Sequence, residues 1–120
     1  MSHGGKTVTI DKYTVRHTAV GDTITTIYCY SKYVGGTGYV GQINFFPKGN
    51  VPASTVSNDE TGFYLCYEID RYQDIIETFR YEKPIYAHIY WTDNHIIDLG
   101  YVSTFSEPVG EQEGPGGTPS

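Results

Sequence analysis

Cysteine is scarce: Cys29 and Cys66 are the only two in 120 residues. Neither lies in a CxxC pair or a Cys/His cluster, which argues against a disulfide framework or a structural zinc site. Both sit in apolar strand-like runs and read as reduced, buried small hydrophobes, with a bridge between neighbouring strands as the alternative. Basic residues are few as well. Lys and Arg total eight, with no basic run, against fourteen Asp and Glu, giving a formal charge of −6. Glu107, Glu111 and Glu113 belong to residues 106–120, and without them the balance is −3. Affinity for polyanions rests on clustered cations releasing counterions, so neither figure describes a general nucleic-acid binder. No run approaches the roughly 18 apolar residues that span a bilayer, and residues 1–6 lack the apolar core of a signal peptide. The expected setting is cytoplasmic, with no membrane partner.

The chemical motifs of common enzymes are missing in the same way. Gly35-Gly36-Thr37-Gly38 has the composition of a phosphate-cradling loop, but no helix follows it and no Lys-Ser/Thr pair is present, so it reads as a turn. Nothing resembles a nucleophile elbow, and no segment gathers paired catalytic carboxylates. His95 and Asp98 are three apart, an odd spacing that sends them to opposite faces of a strand, so they do not form a metal pair. The expectation is a protein that is not an enzyme and carries neither cofactor nor metal.

Helical periodicity occurs once. Tyr72, Ile75, Ile76 and Phe79 fall at i, i+3, i+4 and i+7 between two strand-like runs, 63–69 and 84–91. Asp70 is placed to cap the helix, with Gln73 reaching back in a capping box. Pro84 disfavours helical geometry at Lys83 and stops the helix near Glu82. The rest is dense in Thr, Val, Tyr and Ile, which favours strands. Gly21-Asp22 suits the two-residue turn of a hairpin between 13–20 and 23–34. Residues 39–46 form a further strand, with Tyr39, Gly41, Ile43 and Phe45 on one face and Val40, Gln42, Asn44 and Phe46 on the other. Residues 47–61 carry Pro, Gly, Ser, Asn and Asp without periodicity and read as a long loop, either a binding loop or a tolerated insertion.

After the helix, Ile85, Ala87, Ile89 and Trp91 alternate with Tyr86, His88 and Tyr90. A three-residue turn at Thr92-Asp93-Asn94, with Asn94 left-handed, pairs Trp91 with His95, Ile89 with Ile97, Ala87 with Leu99 and Ile85 with Tyr101. The same register sets His88 opposite Asp98. The predicted fold is therefore α+β: a largely antiparallel sheet of about six strands, in the order β-β-β-β-α-β-β, with one helix packed on one face. It occupies residues 6–105 as a single domain, between a flexible leader (1–5) and an acidic Gly/Pro-rich tail (106–120) expected to be disordered.

Twelve tyrosines raise the aromatic share to 15%, and rings with polar tips serve interfaces as readily as cores. The face opposite the helix would hold Tyr86, His88, Tyr90 and Asp98, joined by Gln42, Asn44, Tyr64 and Cys66 from neighbouring strands. A His88–Asp98 pair there reads as a cross-strand contact or as an oriented general base. The face itself reads as a binding surface, with a second small core under the N-terminal hairpin as the alternative.

Residues 38–113 resemble a family of small, functionally uncharacterised bacterial proteins. The resemblance rests on Ile43-Asn44-Phe45-Phe46-Pro47-Lys48-Gly49, the 67–79 strand-to-helix passage, Arg80-Tyr81-Glu82-Lys83-Pro84, Ser103-Thr104, and Glu107-Pro108-Val109-Gly110-Glu111. It implies no activity or cofactor, but it would make residues 106–111 part of the domain's working sequence. In topology the chain is also similar to PUR-type and related single-stranded nucleic-acid binders, whose sheets stack bases on aromatic rings. It departs from them in lacking a basic groove and in adding two strands after the helix. The functional expectation is a small non-enzymatic binding or interaction protein, a homodimer that buries its Tyr-rich face or a strand edge. The alternative is a single-stranded nucleic-acid module.

Overall fold

The computed structural model describes residues 4–104; the expected tail, 106–120, lies outside the described residues. The elements run β1 (Gly4–Ile10), β2 (Lys12–His17), β3 (Thr25–Tyr30), β4 (Tyr39–Phe46), β5 (Thr55–Val56), β6 (Phe63–Glu68), a 3-10 turn (Ile69–Arg71), α1 (Tyr72–Tyr81), β7 (Ile85–Trp91) and β8 (Ile97–Thr104). The fold is α+β and mostly sheet, with one helix. In place of one six-stranded sheet, however, it has two, a three-stranded sheet β1-β7-β8 and a five-stranded sheet β2-β3-β4-β6-β5. All pairings are antiparallel except β4 with β6, which is parallel. β1 begins at Gly4, inside the stretch expected to be a leader.

The division into two sheets follows from a bend at Asp11. There the chain leaves β1 in one sheet and enters β2 in the other, and the Asp11 N–H donates to the Tyr30 carbonyl at 2.8 Å. On the opposite side the sheets meet again through a bridge between Thr55 and Ile96. Two backbone bonds flank it, from the Val56 N–H to the His95 carbonyl (2.9 Å) and from the Ile97 N–H to the Ser54 carbonyl (2.8 Å). One core fills the space between. Ile85, Ala87, Ile89 and Trp91 enter it from β7, Ile27, Cys29, Ile43, Phe45, Phe63 and Leu65 from the five-stranded sheet, and Ile75, Ile76 and Phe79 from α1. The helix lies against the five-stranded sheet, with Phe79 edge-on to Tyr13 (5.3 Å between centroids) and Tyr72 edge-on to Phe45 (5.2 Å).

Local expectations fare unevenly. The apolar stripe of α1 and its end at Tyr81 stand as the spacing predicts. The Asp70 cap does not form: Asp70 sits within the 3-10 turn, Arg71 occupies the N-cap without a side-chain hydrogen bond, and Gln73 Nε2 donates to Glu77 Oε2 at 3.1 Å. β2 and β3 pair as a hairpin, but across residues 18–24 rather than a two-residue turn. Gly36 and Gly38 adopt positive φ (67° and 83°) in the glycine-rich turn. At Gly38 a Cβ would lie 2.9 Å from the Ser31 carbonyl oxygen, so a side chain is both strained and crowded there. The long loop contains β5. Cys29 points into the core and Cys66 to the reverse of the same sheet, and both are free thiols. No helix among the described residues is long and apolar enough to cross a membrane.

Candidate functional site

The β7–β8 register decides what the predicted site becomes. The turn closes one residue later than expected, with the His95 N–H donating to the Thr92 carbonyl (3.0 Å) and the Thr92 N–H to the Ile96 carbonyl (2.9 Å). His95, not Asn94, takes the left-handed conformation, at φ 63°. A bulge then leaves Asp98 unpaired between Trp91↔Ile97 and Tyr90↔Leu99. Together these move the pairing by an odd number of residues, which exchanges the two faces of β8. Gly100 and Val102 turn inward opposite Ile89 and Ala87, while Leu99 and Tyr101 turn outward opposite Tyr90 and His88.

The outer face of the three-stranded sheet is thus built in three rows: Gly5, Tyr90, Leu99; Thr7, His88, Tyr101; and Thr9, Tyr86, Ser103. His88 is held on every side. Its Nδ1 lies 3.1 Å from Thr7 Oγ1 and its Nε2 2.9 Å from Ser103 Oγ, and its ring stacks on Tyr101 with centroids 4.7 Å apart. A neutral imidazole offers one donor and one acceptor, and a hydroxyl can complement either. The predicted His88–Asp98 pair does not exist, because the bulge carries Asp98 away. Around His88 exposure is high, with Tyr90 at 42%, Tyr101 at 41% and Leu99 at 55%. Tyr90 lies over Gly5, where a Cβ would sit 2.4 Å from its ring. Lacking that Cβ, Gly5 lets the ring lie flat across β1.

Of the predicted site residues, Tyr86, His88 and Tyr90 share this face, while Asp98 stands beside its Tyr90 end, in the rim formed with Asp93 and Asn94. Tyr64 belongs to the other sheet. It shares the reverse side of that sheet with Gln42, Asn44 and Cys66, as the alternation predicts, but not with Tyr86. Leu99 and Tyr101 were missed because the predicted register put them in the core. The bulge that exposes them has no signature in the residues themselves.

A second constellation lies on the reverse of the five-stranded sheet. Tyr28, Tyr30 and Tyr39 pack with centroids 6.1 to 6.5 Å apart. The Lys12 ammonium sits 5.4 Å from the Tyr30 ring centre and the Arg16 guanidinium 5.3 Å from that of Tyr28. Tyr39 Oη donates to Gln42 Oε1 (2.7 Å), Gln42 Nε2 to Asn44 Oδ1 (3.0 Å), and Thr26 Oγ1 to the same Asn44 oxygen (3.0 Å). Burial, helped by the neighbouring Tyr64, Cys29, Tyr28 and Tyr30, pushes the Tyr39 phenol up to about 12, so it is a protonated donor at neutral pH.

Between the sheets, Lys6 reaches from β1 to the 57–62 loop, its Nζ donating to the carbonyls of Glu60 (2.9 Å) and Thr61 (3.2 Å). Burial lowers the Lys6 ammonium pKa, and the Asp59 and Glu60 carboxylates oppose that shift. Among the described residues no three His, Cys, Asp or Glu side chains gather as a metal site. The chain matches no family model, no curated protein and no solved structure, so the reading of these surfaces rests on their own geometry.

Proposed function

We propose that this is a small non-enzymatic binding protein that associates with a second copy of itself through the outer face of the three-stranded sheet. One observation carries the reading. The three rows around His88 expose Tyr90, Leu99 and Tyr101 together, yet none of their nine residues is Asp, Glu, Lys or Arg. Exposed rings and an aliphatic side chain on neighbouring strands form a patch that gains by leaving water. In an isologous contact each copy presents the same surface to the other, and a face without formal charges meets its twin with no like-charge penalty. His88, anchored by two hydroxyls and a ring and with no carboxylate bonded to it among the described residues, orders this surface and does not fit a general base. β1, an edge strand of the same sheet among the described residues, offers backbone groups through which the contact can extend.

The size of the patch sets the expected strength. Three strands about 4.8 Å apart, followed for about five residues each, present a projected face of about 250 Å². That is well below the roughly 800 Å² per partner of a standard stable interface, so the dimer is weak, forms only toward the upper end of the micromolar range and exchanges readily. Sedimentation equilibrium across that range gives a dimer for the native chain. Tyr90→Ser with Tyr101→Ser shifts it to monomer, with a modest loss of monomer stability because each ring is only partly exposed and covers Gly5 or His88. A chain that stays monomeric throughout, or a dimer indifferent to those substitutions, refutes the proposal.

A further inference from the structure

We infer that the reverse of the five-stranded sheet is a second binding surface, one that takes a short single-stranded nucleic acid by stacking bases on Tyr28 and Tyr30 and pairing phosphates with Lys12 and Arg16. The placement of charge is the first argument. The chain carries a net charge of −6, yet β2, β3 and β4 contain no Asp or Glu among their residues. Their exposed cations stand over the rings that line this side, with Lys12 above Tyr30 and Arg16 above Tyr28. A polyanion meets two cations and no strand carboxylate on the β2–β3 side of this face, Glu68 standing on β6 two strands from β3.

Flat surfaces and donors also stand side by side on this strand pair. Lys12 is the cross-strand partner of Tyr30, and Arg16 lies diagonally across from Tyr28. Each cation therefore lies over its own ring, and a base that stacks there takes the cation's place on the π-face while the freed ammonium or guanidinium meets the flanking phosphate. Every base has a π-face, so stacking on tyrosine tolerates any sequence, and arginine adds a cation–π contribution. The rings are also held in place. Tyr39 leans on both Tyr28 and Tyr30 and is tied through Gln42 and Asn44 to Thr26. A surface whose side chains are already ordered loses less entropy on binding. An acidic peptide would satisfy the same cations but would leave the rings without a flat partner, and a duplex hides its base faces. The surface is separate from the one around His88, so either can fail without the other.

Two cations set the expected salt dependence. At about −0.7 per phosphate contact, two contacts weaken binding about sevenfold between about 50 and about 200 mM salt. The experiment titrates the full-length protein into a labelled oligothymidylate of about a dozen nucleotides, with a duplex of the same length and polyglutamate as parallel probes. The oligothymidylate binds at low salt with that slope, quenches tyrosine fluorescence, and binds more tightly than either other probe. Tyr28→Leu or Tyr30→Leu weakens it at least about fivefold, while Tyr30→Phe, which keeps the π-face, does not. Should a leucine variant lose its fold, Lys12→Gln with Arg16→Gln, both on exposed side chains, provides the independent readout by flattening the salt slope. Tyr90→Ser leaves binding unchanged. No binding at low salt, equal binding of polyglutamate or duplex, or folded leucine variants that bind like the native chain would each overturn the inference.

Discussion

At the residue scale, the clearest constraint is the absence of a side chain at Gly41. It pairs with Phe63 across the parallel β4–β6 ladder, and a Cβ there would lie 2.4 Å from the Phe63 ring, which is fully buried. A buried ring must shift to admit the methyl, so Gly41→Ala is expected to cost about 1–3 kcal/mol through overpacking. A shifted urea midpoint checks it, and an unchanged midpoint would mean the ring relocates freely. Asp59 offers a titration. It accepts hydrogen bonds from Ser57 Oγ (2.6 Å), Thr61 Oγ1 (2.7 Å) and the Thr61 N–H (3.2 Å), which together hold its carboxyl down from 3.8 to about 2. Because the folded value is depressed, the unfolded chain binds the extra proton first. The contribution is complete above about pH 4 and is lost as pH falls toward 2. Protection of the Thr61 and Gly62 amides, taken relative to the intrinsic exchange rate at each pH, should fall across that window, and Asp59→Asn should abolish that loss of protection. The Gly41 constraint was not legible in the sequence, since the fold brings Phe63 to it, whereas the Asp59 partners lie two residues to either side and form a local turn.

At the scale of elements, α1 and the β7–β8 hairpin behave oppositely. The helix was legible because its apolar stripe repeats at 3.6 residues and Pro84 ends it, and both signals are local. Its cap was not, since a 3-10 turn shifts the helix start past Asp70 to Tyr72. In the hairpin, the alternation of β7 correctly marks Ile85, Ala87, Ile89 and Trp91 as core, but β8 alternates less clearly and cannot choose its own register. The turn and bulge choose it, and they place Leu99 in water. Leu99→Thr should therefore alter the stability of the monomer by less than about 0.5 kcal/mol, whereas a core leucine would cost several times more. Denaturant unfolding at dilutions below the dimer range separates the two. The same hairpin is tied to the 57–62 loop by His95 Nε2 and Glu60 Oε2 at 3.1 Å, and both residues adopt φ 63°. Two left-handed non-glycine residues in contact indicate that the loop and the turn fix each other's conformation.

For the whole molecule, the consequence of two sheets is two outward faces. A single sheet under one helix would have one reverse side, on which Tyr64, Gln42 and Asn44 would join Tyr86, His88 and Tyr90. The bend at Asp11 separates them instead into an uncharged face on the three-stranded sheet and a face bearing cations and tyrosines on the five-stranded one. Local signals along the chain were enough for strands, from alternation, for the helix, from its stripe, for its end, from proline, and for the outward setting of Tyr86, His88 and Tyr90, from the parity of β7. Which strands share a sheet, how β8 aligns and where Asp98 falls were fixed by long-range packing and pairing. Those outcomes depend on hydrogen bonds between residues far apart in the chain, and on a bend and a bulge that the order of residue types leaves open.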